Sequence, residues 1–224
     1  MVLCLPTFRK TRLQKALFGG SFYFSSFPFY SGLSFNSYTT RLTVLSSVKF
    51  VGKEALAAVG GSSAQIVAFV VGFFTGLSSG ASVTIAQFFG AKDSRSANKG
   101  LHTAYAIAAF GGLILTVSGI ILTPFLLEMM NTPADIVADS AVYLRIYFAG
   151  IIFVLIYNMG SAILRATGDS KRPLYYLIVC CIINIVLDVL FVIVFHMGVM
   201  GVAVATLIAQ AVSAVLVTLK PDAL

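Results

Sequence analysis

The sequence predicts an all-α membrane protein, a polytopic helical bundle, on three observations. Hydrophobic residues fill 58% of the 224 positions, charged residues fill only 10%, and the mean hydropathy of +0.97 lies far from soluble values. The apolar residues gather into five runs after residue 60, each meeting the roughly 20 residues that a helix needs to cross a hydrocarbon core. The formal net charge of +7 sits in short basic clusters between those runs, where no groove-binding surface can be built. A nucleic-acid partner is therefore excluded and the lipid bilayer is the partner implied. Cys4, Cys180 and Cys181 have no ligand spacing, and the adjacent pair lies in an apolar run, so they read as small buried hydrophobes rather than a metal site or disulfide framework.

Arg9, Lys10, Arg12 and Lys15 make the amino terminus basic, and a crossing between about Ala16 and Val48 is needed to keep it on the side of the other basic loops. The stretch "SFYFSSFPFYSGLSFNSYTTRLTVLSSVK" suits that task poorly. It is rich in Phe but carries a hydroxyl at almost every second position, with Pro28 and Arg41 besides. A signal peptide fits no better, because the apolar region is broken and no small-residue cleavage site stands out. The five clear spans run approximately from Ala64 to Phe89, Gly100 to Leu127, Ala138 to Ile163, Leu174 to Phe195 and Val199 to Leu219. Gly72, Gly76 and Gly80 recur every fourth residue in the first of these and predict a smooth face for close helix packing. Thr132-Pro133-Ala134-Asp135 offers an N-cap, a proline at the first helical position and a first-turn acid, so the third is expected to start before the membrane does. Pro173 can open the fourth in the same way.

Loop charges alternate. "AKDSRSANKG" carries Lys92, Arg95 and Lys99 against Asp93, and "LRATGDSKRP" carries Arg165, Lys171 and Arg172 against Asp169. Between them, "LEMMNTPADIVAD" carries Glu128, Asp135 and Asp139 with no base. The basic loops at 91–100 and 164–173 are therefore expected in the cytoplasm, in a multi-pass protein of the cell inner (plasma) membrane.

"FVGKEALAAVG", "SSGASVTIAQFFGAKD", "AVYLRIYFAG", "AILRATGDSKRP" and "NIVLDVLFVIVFHMGVMGVAVATLIAQ" together resemble the multidrug and toxic compound extrusion (MATE) family of cation-coupled exporters. The resemblance runs without a gap from Phe50 to about Leu219. It implies two pseudo-symmetric six-helix lobes in a complete transporter, of which residues 50–219 would supply helices two to six of the amino-terminal lobe. The tail 220–224 would stand where a linker to the carboxy-terminal lobe begins, leaving that lobe missing.

The same resemblance implies a first helix with the pattern L-P, Q-L-L-Y-N-A-A-D and V-V-G-K just before "FVGKEAL", which residues 1–49 do not show. A reading frame shifted by one base recovers much of it. Phe35/Asn36 then gives Gln or stop, Thr40/Arg41 and Arg41/Leu42 permit Ala, Leu42/Thr43 permits Asp and Val48/Lys49 permits Lys. Residues 1–49 are thus read as an aberrant segment that replaces the first helix through a frameshift, with a divergent hydrophobic segment as the alternative.

Asp188 is the only acid placed deep in a span, and Asn184 lies one helical turn earlier on the same face. A carboxylate at membrane depth costs several kcal/mol if ionised, so it is protonated, paired or cavity-facing, and beside a neutral amide it suits a proton or Na⁺. Bridging between helices is the plainer reading of the pair. The resemblance implies that Asp188, Asn184 and the fourth-helix amide Asn158 line a cavity for substrate and coupling cation, with a first-helix acid that only the shifted frame encodes. Arg145 and Tyr147 sit near the outer end of their helix, where snorkelling of Arg145 is expected. His102 and His196 fall near helix ends, and neither a nucleophile–base constellation nor a metal cluster is legible, so an enzyme is not expected. The "LRATGDSKRP" turn lacks the G-K-[ST] of a phosphate loop.

The expected activity is secondary active efflux of organic cations or small-molecule drugs in antiport with H⁺ or Na⁺, without a cofactor, and inactive for this chain alone. Two other functions fit the composition. A non-transporting membrane scaffold or assembly subunit would not need Asp188, and a lipid-linked precursor flippase would place bases along its cavity, where these spans carry almost none.

Overall fold

The computed structural model describes residues 53–219, with side chains from Ala57 onward. The aberrant segment 1–49, the first-helix crossing within it and the tail 220–224 lie outside the described residues. Helices follow one another as α1 (Lys53–Gly60), α2 (Ser62–Gly90), α3 (Ser94–Met129), α4 (Val137–Ala166), α5 (Lys171–Val189) and α6 (Gly198–Thr218), with a π turn (Leu190–Val194) closing α5. Five helical segments are long and apolar enough to cross a membrane, the first running from Ala57 to Gly90 across the join of α1 and α2. The predicted all-α bundle is therefore what the described residues form, and each helix contains or nearly matches its predicted span.

Sequence details set the breaks. A side chain on Gly61 would collide with the Ala57 carbonyl, so glycine is required where α1 passes into α2. Asp93 caps α3 by accepting the Ser96 N–H at 3.1 Å, so most of the basic loop at 91–100 is the amphipathic first turns of α3. The cap expected at Thr132 is not made. Ile136 N–H instead donates to the Pro133 carbonyl at 3.2 Å, the Thr132 hydroxyl has no partner among the described residues, and α4 begins only at Val137. The residues from Pro133 to Ile136 are spent on this tight turn, because the chain must reverse within a few positions of Met129. Pro173 sits in the third position of α5, where its missing N–H costs nothing, and Asp169 Oδ1 accepts the N–H groups of Lys171 and Arg172.

α4 is the centre of the bundle. It packs against α3, α6 and α2, whereas α5 rests mainly on α6 and only lightly on α4. α3 runs antiparallel to α4: Gly112 lies against Ile152, and Gly119 against the ring of Phe148, which is 2% exposed. α6 runs parallel to α4, with Gly150 under Leu207 and Gln210 and Gly160 under Val217. Across these seams Thr116 Oγ1 donates to the Phe148 carbonyl at 3.0 Å and Ser140 Oγ to the Ala58 carbonyl at 3.3 Å.

The close glycine packing expected at Gly72, Gly76 and Gly80 is not made by any described helix. A Cβ built at each of the three meets nothing within 4 Å, and all three are exposed. The small-residue seam lies instead on α3, along Ala104, Ala108, Gly112 and Gly119, all buried against α4. Large side chains such as Phe69, Phe73, Phe110, Ile121 and Phe125 project outward, as bilayer-facing surfaces require.

Candidate ion and substrate site

Asp188 occupies the last turn of α5, immediately before the π turn, and is 3% exposed. It is the only buried carboxylate among the described residues. α5 and α6 form an antiparallel hairpin whose turn carries His196 at φ 52° and Gly198 at φ 57°. That hairpin brings Thr206 opposite Asn184: Asn184 Nδ2 donates to Thr206 Oγ1 at 3.5 Å, and the Thr206 hydroxyl donates onward to the Val202 carbonyl at 2.9 Å. The hydroxyl proton is thereby committed to the backbone and its oxygen turned toward the amide.

From α4, Tyr143 lies within electrostatic reach of Asp188. Its ring stacks on Tyr147 with centroids 6.2 Å apart at 29°, and both phenols are buried. One wall of the bundle thus gathers a carboxylate, an amide, a hydroxyl and a phenol from three helices, a set of hard oxygen ligands and proton acceptors. An ionised carboxylate there is strongly disfavoured without a cation beside it. The chemistry available is capture and release of a small cation, a proton included.

Asp188 and Asn184 are therefore brought together. Asn158 is not beside them. It lies 15 residues beyond Tyr143 on α4, about 22 Å of helical rise, at the level where Tyr157 reaches α5. Gly72, Gly76 and Gly80 are exposed on α2. Arg145 is exposed near the start of α4, His102 and His196 are exposed, and Cys180 is buried in α5. Tyr143 and Thr206 had not been singled out from the sequence. Thr206 was findable by counting: from the turn at His196 it is 10 residues forward and Asn184 is 12 back, so an antiparallel hairpin sets them within a turn of each other.

Comparison with known proteins decides the family. The MatE family model matches residues 29–190, well over half the chain. The protein belongs to the MatE family. The match starts upstream of Phe50, inside the segment set aside by the frameshift reading. A probable multidrug resistance protein of Bacillus subtilis, YoeA, is 37% identical over 164 residues, which cover 71% of this chain and 35% of that one. Two solved structures of a multidrug resistance MATE family transporter of the MOP superfamily share its fold at 28% identity. The inward-facing one has a TM-score of 0.75 over 80% of this chain and 40% of its own, and the outward-facing one 0.77 over 86% and 42%. The chain thus spans well under half the length of these relatives. MatE proteins are membrane transporters, and the described helices make this chain a multi-pass membrane protein.

Proposed function

We propose that this MatE chain forms one lobe of a secondary active exporter that exchanges organic cations or drugs for H⁺ or Na⁺, with Asp188 as the ion-coupling carboxylate. The observation that carries the reading is the burial of Asp188 beside the Asn184–Thr206 pair and Tyr143. Drug export comes from the relatives, and a second lobe from the share of their length that this chain covers. No nucleic acid, cofactor or catalytic step enters the proposal.

The mechanism follows from charge. A carboxylate as buried as Asp188 is costly to ionise, so the site favours a bound cation, H⁺, Na⁺ or a drug. Competition for one carboxylate couples the two fluxes, provided the ion prefers one conformation of the lobe pair by differential affinity. A lobe that resembles both inward- and outward-facing relatives about equally suits motion as a body. The basic loops at 91–100 and 164–173 sit at one end of the bundle, as the pairing of α3 with α4 requires, and the positive-inside rule assigns that end to the cytoplasm of the inner membrane.

The test is equilibrium binding of ethidium to the purified protein, titrated with H⁺ at fixed Na⁺ and with Na⁺ at fixed pH. One of the two should weaken dye binding, which also names the coupling ion. Dye binding insensitive to both would contradict the proposal.

A further inference from the structure

Arg165 occupies the last turn of α4 and is half-buried, yet among the described residues no carboxylate or other acceptor hydrogen-bonds to its guanidinium. The nearest acid in the chain is already committed. Asp169 Oδ2 pairs with Arg172 Nε at 2.8 Å, while its Oδ1 accepts the N–H groups of Lys171 and Arg172 at 3.2 and 3.1 Å. The helix dipole favours a cation in this last turn, but the dipole uses none of the five guanidinium donors.

Tyr157, Ser161 and Arg165 repeat every four residues and form one stripe of α4 directed at the start of α5. The Tyr157 hydroxyl donates to the Pro173 carbonyl at 3.0 Å, and Tyr157 lies within electrostatic reach of both Arg165 and Cys180. Ser161, 2% exposed, lies beside the Tyr157 hydroxyl on the same stripe. Few residues of α4 and α5 meet, so the Tyr157–Pro173 bond is a main link between them. This end of the bundle is basic: Lys92, Arg95, Lys99, Arg165, Lys171 and Arg172 stand against two acids, Asp93 and Asp169.

We propose that Arg165, at the last turn of α4 beside the first turns of α5, holds the phosphate of an anionic membrane lipid. A planar guanidinium with its donors free matches a phosphate bidentately. Clusters of Lys and Arg at this end of a membrane protein attract anionic headgroups. A lipid fits better than a soluble anion because Leu174, Tyr175 and Ile178, on the first two turns of α5, stand exposed and offer apolar surface for an acyl chain. The site does not depend on the transport proposal, since it uses neither Asp188 nor Asn184.

The experiment is native mass spectrometry of the full chain released from detergent, titrated in separate arms with phosphatidylglycerol, phosphatidylcholine and inorganic phosphate. Wild type should bind phosphatidylglycerol in preference to phosphatidylcholine and show no comparable adduct with inorganic phosphate. Arg165→Gln should weaken phosphatidylglycerol binding about tenfold, and Arg165→Lys, which keeps charge but loses the fork and protects against a folding artefact, should fall between. Arg145→Gln, exposed near the opposite end of α4, should bind like wild type, and a loss there equal to that of Arg165→Gln would count against the site. Equal phosphatidylglycerol affinity in wild type and both Arg165 variants, or inorganic phosphate binding as tightly as the lipid, would overturn the proposal.

Discussion

Gly119→Ala and Gly72→Ala make the same chemical change in two helices and are expected to move stability in opposite directions. In each, replacing glycine inside a helix gains about 1 kcal/mol of intrinsic propensity. At Gly72 nothing lies within 4 Å of the added methyl, so that gain stands. At Gly119 the methyl would overlap three atoms of the Phe148 ring, which is fully buried between α3 and α4. Overpacking of a filled core costs roughly 1–3 kcal/mol, and the upper end applies because ring and backbone are both hemmed in. The net is a loss of about 2 kcal/mol for Gly119→Ala and a gain approaching 1 kcal/mol for Gly72→Ala, a separation of about 3 kcal/mol. Far-UV circular dichroism during SDS-induced unfolding of the protein in mild detergent micelles measures both. Equal stability of the two variants would refute the assignment of the close seam to α3, and a larger loss at Gly72 would restore it to the α2 stripe.

Further outcomes follow from other sites. Hydrogen bonds from Ser96 hold the Asp93 carboxyl below its ordinary value, so its capping contribution is present at neutral pH and is lost as pH falls through that lowered value. Hydrogen exchange at the Ser96 amide should quicken on acidification and in Asp93→Ala at neutral pH, and protection unchanged in both would remove the cap from the account. His196→Gly should stabilise the α5–α6 turn by about 1 kcal/mol, because a non-glycine residue at φ 52° carries a left-handed cost; a lower melting temperature would show that His196 makes a compensating contact. Expressed alone in a host lacking its own efflux pumps, the chain should confer no ethidium efflux, and measurable efflux would overturn the need for a second lobe.

The spans were legible because twenty-odd apolar residues in a row admit few structures, and Asp188 was legible because a carboxylate inside such a run is costly. What the sequence concealed was pairing. Gly72, Gly76 and Gly80 have the spacing of a packing seam, but spacing does not say which faces meet, and among the described helices the close seam is on α3, where Gly112 and Gly119 are seven apart. The Thr132 cap failed for a related reason. A local signal competes with the turn geometry that joins α3 to α4, and the i to i+3 bond from Ile136 to Pro133 won. Asn184 was placed beside Asp188 by helical spacing, whereas its bond to Thr206 belongs to tertiary structure and needed the hairpin count as well.

The central claim is that Asp188 holds the coupling cation and yields it to the drug. Displacement measures this directly: ethidium is added to the purified protein in weakly buffered solution while released H⁺ and Na⁺ are recorded by electrodes. Wild type should release roughly one cation for each dye bound, and Asp188→Asn should release none. Equal release by Asp188→Asn would contradict the account.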